Sequence, residues 1–184
     1  SYSIADSKIN VNRISFFIKN YSNGIMSNYL FNQAKVNDLL RIEGPIGSFF
    51  LRESDKKNII FLATGTGIAP VKSIIESMLK NSNDFSNKII WLFFGGRFID
   101  DIFWKPQSRE IDLKYIPVLS RDKENINYEK GYVQDVLVRK KISLSDSQVY
   151  ACGSQDMINS SRKLLLSKGL NKSDFFSDAF TQSN

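Results

Sequence analysis

The pattern of apolar and polar positions changes partway along the chain. In the first part they alternate, as at Ile14, Phe16 and Ile18, which is the period of a strand with one buried face. Further extended stretches are predicted at 39–43 and 48–52, where glycine and proline supply the turns. This first part is therefore predicted to be β-structure.

From residue 59 onward, short unbroken apolar runs alternate with amphipathic segments. Unbroken runs are typical of strands buried on both faces of a parallel sheet. They predict strands at 59–63, 89–94, 114–119, 148–152 and 175–180, with helices after Pro70 and at 132–140 and 154–167. The alternation indicates an α/β fold with a doubly wound, mostly parallel sheet. We expect two domains, at 1–54 and 55–184.

Composition narrows the possible chemistry. The 184 residues are 42% hydrophobic and 24% charged, as in globular proteins, with no histidine and one cysteine. Imidazole catalysis, an internal disulfide and a four-thiolate cluster are thereby excluded, so any catalysis needs a bound cofactor. The 25 basic and 19 acidic residues are scattered, and no apolar run matches a membrane helix or signal peptide. We expect a cytoplasmic protein that binds no nucleic acid, membrane or metal ion.

The strongest local motif joins a predicted buried strand to a predicted helix. It reads Thr64-Gly65-Thr66-Gly67, with Pro70 in the first turn of the helix. Such a loop presents backbone N–H groups and the positive end of the helix dipole to a phosphate, which can approach glycine closely. A tight turn without a ligand is the alternative, and the flanking strand and amphipathic helix favour the phosphate. Pro70 stands where the common dinucleotide fingerprint has its third glycine.

A second motif, Cys152-Gly153-Ser154, lies at the carboxyl end of another predicted strand. Ligands of open α/β sheets bind at that edge. A lone cysteine, however, is usually a small buried hydrophobic residue. The pattern leaves both interpretations of Cys152 open.

Taken in order, the motifs resemble the ferredoxin–NADP reductase superfamily. Tyr2-Ser3 match the end of its flavin motif Arg-x-Tyr-Ser, and Gly24-x-x-Ser27 matches its flavin-phosphate segment. Gly65 to Pro70 match its nicotinamide-dinucleotide loop, and Cys152-Gly153 match the pair beside the nicotinamide. The resemblance implies part of an antiparallel flavin-binding β-barrel ahead of the doubly wound domain.

One branch of the superfamily is especially similar. Segments 41–45, 49–55, 69–73, 150–154 and 177–181 resemble the CDP-6-deoxy-Δ3,4-glucoseen reductases, which act in 3,6-dideoxysugar synthesis for bacterial lipopolysaccharide. Members of that branch normally carry an amino-terminal [2Fe–2S] domain. Its cysteines and the motif arginine, which would precede Ser1, are not in this sequence. We expect a fragment of a longer product, with the [2Fe–2S] cluster in a missing domain or a partner.

The resemblance implies that NAD(P)H reduces FAD, and that electrons then reach an iron–sulfur acceptor serving a pyridoxamine-dependent dehydrase. The implied catalytic residues are Ser3, Cys152 and Phe180. The implied cofactor-binding residues are Tyr2, Ser3, Ile4, Gly24, Met26, Ser27, Gly65, Thr66, Gly67, Ile68, Ala69, Pro70, Gly95, Arg97, Ser120, Arg121, Cys152, Gly153 and Met157.

Three questions stay open at this point. An NAD(P)H:flavin oxidoreductase that releases reduced flavin shares the ending Asp178-Ala179-Phe180, and a non-catalytic nucleotide-binding fragment is a further alternative. Arg97 and Arg121 would suit the 2′-phosphate of NADPH, but Asp100 and Asp101 lie close by in the sequence. The choice between NADH and NADPH is therefore undecided.

Overall fold

A computed structural model describes residues 1–7, 13–107, 110–122 and 124–179. Its centre is one six-stranded sheet in which every neighbouring pair of strands is parallel. The strands are β1 (Asn58–Thr64), β2 (Ile89–Gly96), β3 (Asp112–Leu119), β4 (Glu129–Lys130), β5 (Ser147–Gly153) and β6 (Phe175–Ala179). The helices are α1 (Ile25–Asn32), α2 (Ile68–Lys80), α3 (Val133–Arg139) and α4 (Gln155–Ser167). Phe180 lies outside the described residues.

The predicted α/β domain is confirmed. Each of the five predicted strands and three predicted helices is present, with ends that differ by a few residues from the prediction. The additional strand, β4, is the two-residue edge Glu129–Lys130, which pairs with Val118 and Leu119 of β3. Two charged residues carry no strand pattern, so this edge could not be predicted from the sequence.

Both faces of the sheet are buried. Along β1, Ile60 and Leu62 pack with α3 and α4 on one face, while Ile59, Phe61 and Ala63 pack with α2 on the other. Alternate residues of a strand point to opposite faces, so a strand covered on both sides must be apolar throughout. This explains the unbroken apolar runs of the sequence.

The strand order is β4-β3-β2-β1-β5-β6. The chain builds outward from β1 to β4 and then returns to place β5 on the other side of β1. The order therefore reverses between β1 and β5, which are paired from Asn58↔Ser147 to Ala63↔Cys152. A crevice at the carboxyl ends of two such strands is the usual ligand site of a doubly wound sheet.

The strands predicted before residue 54 are not formed. Within the described part of residues 1–57, the pairing consists of one antiparallel bridge, Ile4↔Phe16, and the regular element is α1. Segments 39–43 and 48–52 are not in strands, and Leu39 is fully exposed. A strand is held by the hydrogen bonds of a neighbour, and these segments have none among the described residues. The prediction of strands in these segments is therefore wrong.

Candidate dinucleotide site

The glycine loop after β1 is a short 3₁₀ turn, Gly65–Gly67, that leads directly into α2. Gly65 is exposed and has φ +53°, a left-handed conformation in which a side chain is strained. Thr66 is partly exposed, whereas Gly67 to Pro70 are buried. The surface that a ligand could touch is therefore formed by Gly65 and Thr66. Ile68, Ala69 and Pro70 line the core beneath it and offer a ligand no side-chain surface.

Two close approaches lock this loop to the end of β5. A Cβ on Gly67 would lie 2.5 Å from the carbonyl carbon of Cys152 and 2.7 Å from the nitrogen of Gly153. Gly153, with φ +148°, is in turn so close to Thr64 that a Cβ would overlap the threonine hydroxyl. The Ser154 N–H donates to Thr64 Oγ1 at 3.4 Å. The two motifs singled out in the sequence thus form a single interlocked structure.

The thiol of Cys152 is fully buried among the apolar side chains on the α2 face of the sheet. Burial, with a smaller contribution from the nearby Asp178 carboxylate, raises the pKa of this thiol well above its ordinary value. The side chain is therefore neutral and packed as a small hydrophobic residue. Its backbone lies at the candidate site, but its sulfur is covered by the protein in this structure.

The ends of β2 and β3 bring the predicted arginines together. The Arg121 N–H donates to the carbonyl oxygen of Arg97 at 3.0 Å, and both residues are exposed. The Asp101 carboxylate accepts from the N–H groups of Arg97 at 2.7 Å and Phe98 at 3.1 Å, so it is occupied within its own loop. Ser120 is exposed beside them, and its hydroxyl donates to Gly96 O at 3.2 Å.

Two other predicted residues have a packing role. Gly95 is buried, and a Cβ there would lie 2.8 Å from Val133 Cγ1, so this glycine lets α3 approach β2. Met157 is buried in the core between the sheet and α4. Its N–H donates to the Ser154 hydroxyl at 3.3 Å, which caps α4.

The predicted flavin-binding residues 2–4 directly precede residues 5–7, which contact α2. Tyr2 is exposed, Ser3 and Ile4 are partly buried, and Ala5 is buried. Ser27 is predicted to bind a flavin phosphate, but its side chain is buried. Its hydroxyl can donate to either of two backbone carbonyl oxygens, Tyr21 O at 3.0 Å and Gly24 O at 3.1 Å. Ser27 therefore shapes the turn, while the exposed Met26 and the backbone N–H groups at the start of α1 remain accessible.

One residue near the site belongs to the similar segment 69–73, but the sequence assigned it no role. Lys72 of α2 contacts Ala5, Asp6 and Glu76. Its contact with Ala5 joins residues 67 apart in the sequence, so the pattern of an amphipathic helix cannot predict it.

Among the described residues, no helix is long and apolar enough to cross a membrane. The same residues contain no group of three or more Cys, Asp or Glu side chains placed to hold a metal ion.

A doubly wound parallel sheet with a glycine loop at its switch point defines an α/β nucleotide-binding domain. The sequence profile of the oxidoreductase NAD-binding domain matches residues 61–163, and the chain belongs to that family. The profile of the oxidoreductase FAD-binding domain matches residues 1–51.

Named relatives match along the entire chain. Protein RfbI of Salmonella typhimurium is 40% identical over 190 residues, which cover 100% of this chain and 56% of that protein. The CDP-6-deoxy-L-threo-D-glycero-4-hexulose-3-dehydrase reductase of Yersinia pestis is 39% identical over 184 residues, with the same two coverages. The chain thus spans only part of the length of these relatives.

Solved structures share the fold. The Amycolatopsis cytochrome P450 reductase GcoB gives a TM-score of 0.83 at 23% identity, covering 98% of this chain and 56% of that one. A ferredoxin NADP⁺ reductase from Neisseria gonorrhoeae, with bound FAD and NADP, gives 0.71 at 19% identity, covering 97% and 78%. The predicted resemblance to ferredoxin–NADP reductases is confirmed.

Proposed function

We propose that this chain is the FAD- and NAD(P)-binding portion of a flavin-dependent reductase, with its flavin part in residues 1–54 and its dinucleotide domain in residues 55–184. The observation that carries the proposal is the interlocked pair of turns, Gly65–Gly67 and Cys152–Gly153, at the switch point of the sheet. The family matches on either side of the proposed boundary support the division.

The exposed backbone of Gly65 and Thr66 suits the pyrophosphate of NAD(P)H. A Cβ on Gly65 would meet nothing within 4 Å, so the space over this residue is open to a ligand. Behind the loop, α2 runs for 13 residues and directs the positive end of its dipole toward the same place. Arg97, Ser120 and Arg121 lie at the neighbouring strand ends, where the adenosine ribose and its substituents would bind.

The residues of the flavin part fit FAD in two respects. Tyr2 presents an exposed aromatic ring beside Phe16, with ring centroids 6.4 Å apart, and can cover an isoalloxazine face. At the start of α1, the N–H groups of Ile25 and Met26 precede Asn28, the residue that donates to Gly24 O at 2.8 Å, so they have no acceptor within the helix and can bind a phosphate. Ser3 and Ile4 lie between Tyr2 and the buried Ala5, and we assign their backbone and the Ser3 hydroxyl to the flavin edge.

Bound NAD(P)H and FAD would supply hydride transfer, in which the dinucleotide is oxidised and the flavin is reduced by two electrons. Gly65 and Thr66 would hold the dinucleotide pyrophosphate, and Tyr2 would pack on the flavin ring. In this structure the Cys152 thiol is neutral and buried beneath the site, so it supports the two turns by packing, and only its backbone lies where the nicotinamide would bind.

We propose that the electrons go on to an iron–sulfur acceptor, in a [2Fe–2S] domain of the same protein or in a partner. Reduction of CDP-6-deoxy-Δ3,4-glucoseen bound to a pyridoxamine-dependent dehydrase, in the cytoplasm, is the reaction we propose. The support is the name of the Yersinia relative, a dehydrase reductase. The electron transfer component of anthranilate 1,2-dioxygenase from Acinetobacter baylyi, 28% identical, supports transfer to a separate enzyme.

The test is anaerobic titration of the complete, FAD-loaded protein with NADH and NADPH, followed by the visible absorption of the flavin. We expect stoichiometric bleaching with retention of FAD on gel filtration. In Gly65→Ala, the added methyl group lies over the loop, and we expect the Kd for the dinucleotide to rise about tenfold. Gly169→Ala, at another open glycine with φ +98°, is the matched control. Flavin that stays oxidised, or a Gly65→Ala variant with an unchanged Kd, contradicts the proposal.

A further inference from the structure

The amino-terminal segment contacts four residues of α2: Lys72 and Ser73 bind the backbone of Ala5 and Asp6, and Glu76 and Lys80 bind Ser7. Lys72 Nζ donates to the carbonyl oxygen of Ala5 at 2.8 Å, and Ser73 Oγ donates to that of Asp6 at 2.9 Å. The Asp6 carboxylate also accepts from Lys72 Nζ at 3.3 Å. Because a particular side chain takes part along with the backbone, the contact selects one position of the segment along the helix.

The ammonium group of Lys72 is satisfied completely at this contact. Its three hydrogens match three oxygens, those of Ala5 and Asp6 and, at 2.7 Å, Glu76 Oε1. The Lys72 side chain is only 15% exposed. Since a largely buried ammonium is stable only when paired, separating the segment from the helix would leave this charge with one partner in place of three.

The stability of α2 does not account for a lysine at this position. Lys72 is the fifth residue of the helix, just past its first turn, where the helix dipole gives a cation no advantage. Its ion pair with Glu76 runs from lysine to glutamate along the helix, which is the less favourable order. The group is better explained by its contact with Ala5 and Asp6.

Ala5 is held from the other side as well. Its N–H donates to the carbonyl oxygen of Ser15 at 2.9 Å, next to the bridge between Ile4 and Phe16, and its side chain is 1% exposed. Both polar backbone groups of Ala5 are therefore fixed. Residues Tyr2 to Ile4 directly precede this anchor, and Gly65–Gly67 directly precede α2.

We propose that Lys72 and Ser73 form a latch that sets the position of the flavin segment, residues 2–4, relative to the dinucleotide loop, so that Lys72 is a positioning residue for hydride transfer. The inference rests on the function proposed above. Lys72 acts through the backbone of Ala5 and Asp6. A displacement of about 1 Å between reacting groups can slow a reaction about 100-fold, so the latch acts on the rate more than on binding.

The first measurement needs no cofactor. Hydrogen exchange of the amides of residues 2–7 is compared in the unaltered protein, in Lys72→Met and in Lys163→Met. Lys163 is an exposed lysine of α4 whose side chain forms no hydrogen bond or ion pair with the described part of the chain. We expect about tenfold faster exchange at Ala5 in Lys72→Met and no change in Lys163→Met, because losing the latch frees the segment to open locally.

The second measurement uses the complete, FAD-loaded protein. At saturating NAD(P)H, we expect flavin reduction in Lys72→Met to be about 10- to 100-fold slower, with the dinucleotide Kd unchanged within about threefold. The charge-transfer absorption between nicotinamide and oxidised flavin should weaken in parallel. Lys72→Arg keeps the charge and should recover part of the rate. Ser73→Ala, which removes one neutral bond, should give a smaller decrease, and it replaces Lys72→Met if that variant does not fold.

The outcomes separate the two proposals. If the unaltered protein shows no flavin reduction, the proposed function fails and the latch fails with it. The latch alone is overturned if NAD(P)H reduces the flavin of the unaltered protein normally and the variant behaves in the same way. The variant is Lys72→Met, or Ser73→Ala in its place, and the comparison covers both hydrogen exchange at residues 2–7 and the rate of flavin reduction. A uniform loss of both binding and rate, without a change at residues 2–7, also overturns it.

Discussion

Gly67 and Gly65 belong to one loop, yet the structure predicts that they tolerate alanine very differently. Gly67 has an ordinary φ of −59°, but its hydrogen faces the backbone of Cys152 and Gly153. Gly65 has the left-handed φ of +53° and faces open space. Gly67→Ala therefore creates a steric clash, while Gly65→Ala creates only backbone strain.

The magnitude follows from the distances. The added Cβ would lie 2.5 Å from Cys152 C and 2.7 Å from Gly153 N. Non-bonded heavy atoms prefer about 3.5–4.0 Å, so the loop and the end of β5 must separate by about 1 Å. Overpacking of a rigid core costs about 1–3 kcal/mol, and backbone atoms yield less than side chains, so we expect Gly67→Ala at or above the upper limit. For Gly65→Ala we expect about 1–2 kcal/mol, the cost of a left-handed alanine.

The assay is urea unfolding followed by circular dichroism, with Gly169→Ala as a control for left-handed strain away from the site. We expect Gly67→Ala to lower the free energy of unfolding by at least about 1 kcal/mol more than Gly65→Ala does. Dinucleotide affinity, measured on the folded fraction of each variant, should show the opposite order. It should fall more in Gly65→Ala than in Gly67→Ala, because Gly65 lies on the surface that the ligand contacts. A Gly67→Ala variant as stable as the unaltered protein would refute the close approach of the two turns.

Three further predictions concern two buried side chains, Tyr150 and Cys152, and the partly buried Asp178. Tyr150→Phe removes a hydroxyl that accepts from Arg52 N–H at 2.9 Å and donates to Gln148 Oε1 at 3.2 Å. It should lower the free energy of unfolding in urea by about 1–3 kcal/mol, and a decrease within experimental error would contradict these bonds. Burial raises the pKa of the Cys152 thiol, so alkylating reagents at neutral pH should label it only after denaturation, and rapid labelling of native protein would show an accessible thiolate. Burial also raises the pKa of Asp178 above 3.8, so its favourable contribution is present below that pH and is lost as the pH rises through the folded pKa. The stability of Asp178→Asn, compared with that of the unaltered protein at the same pH, should therefore be higher at neutral than at acidic pH. The opposite trend in urea unfolding at several pH values would contradict the raised pKa.

Much of the α/β domain could be predicted from the sequence, because its strands and helices have strong local patterns. The run 59–63 is apolar throughout because β1 is covered on both faces, and the 3.6-residue spacing after Pro70 reflects the single buried face of α2. The loop between them could be recognised because glycine is the residue that a left-handed turn requires, as at Gly65. These features depend on a few neighbouring residues.

Contacts between distant residues were decided by the tertiary structure alone. The sequence places Gly67 and Cys152 in separate motifs, and only the order of the strands brings them into contact. The alternation at 14–18 predicts a strand, but a strand also needs a neighbour, which the local pattern does not supply. The sequence shows Lys72 only as part of the similar segment 69–73, and the fold alone places Ala5 and Asp6 against it. Hydrogen bonds and close packing are short-ranged, so they appear only once the chain has brought their partners together.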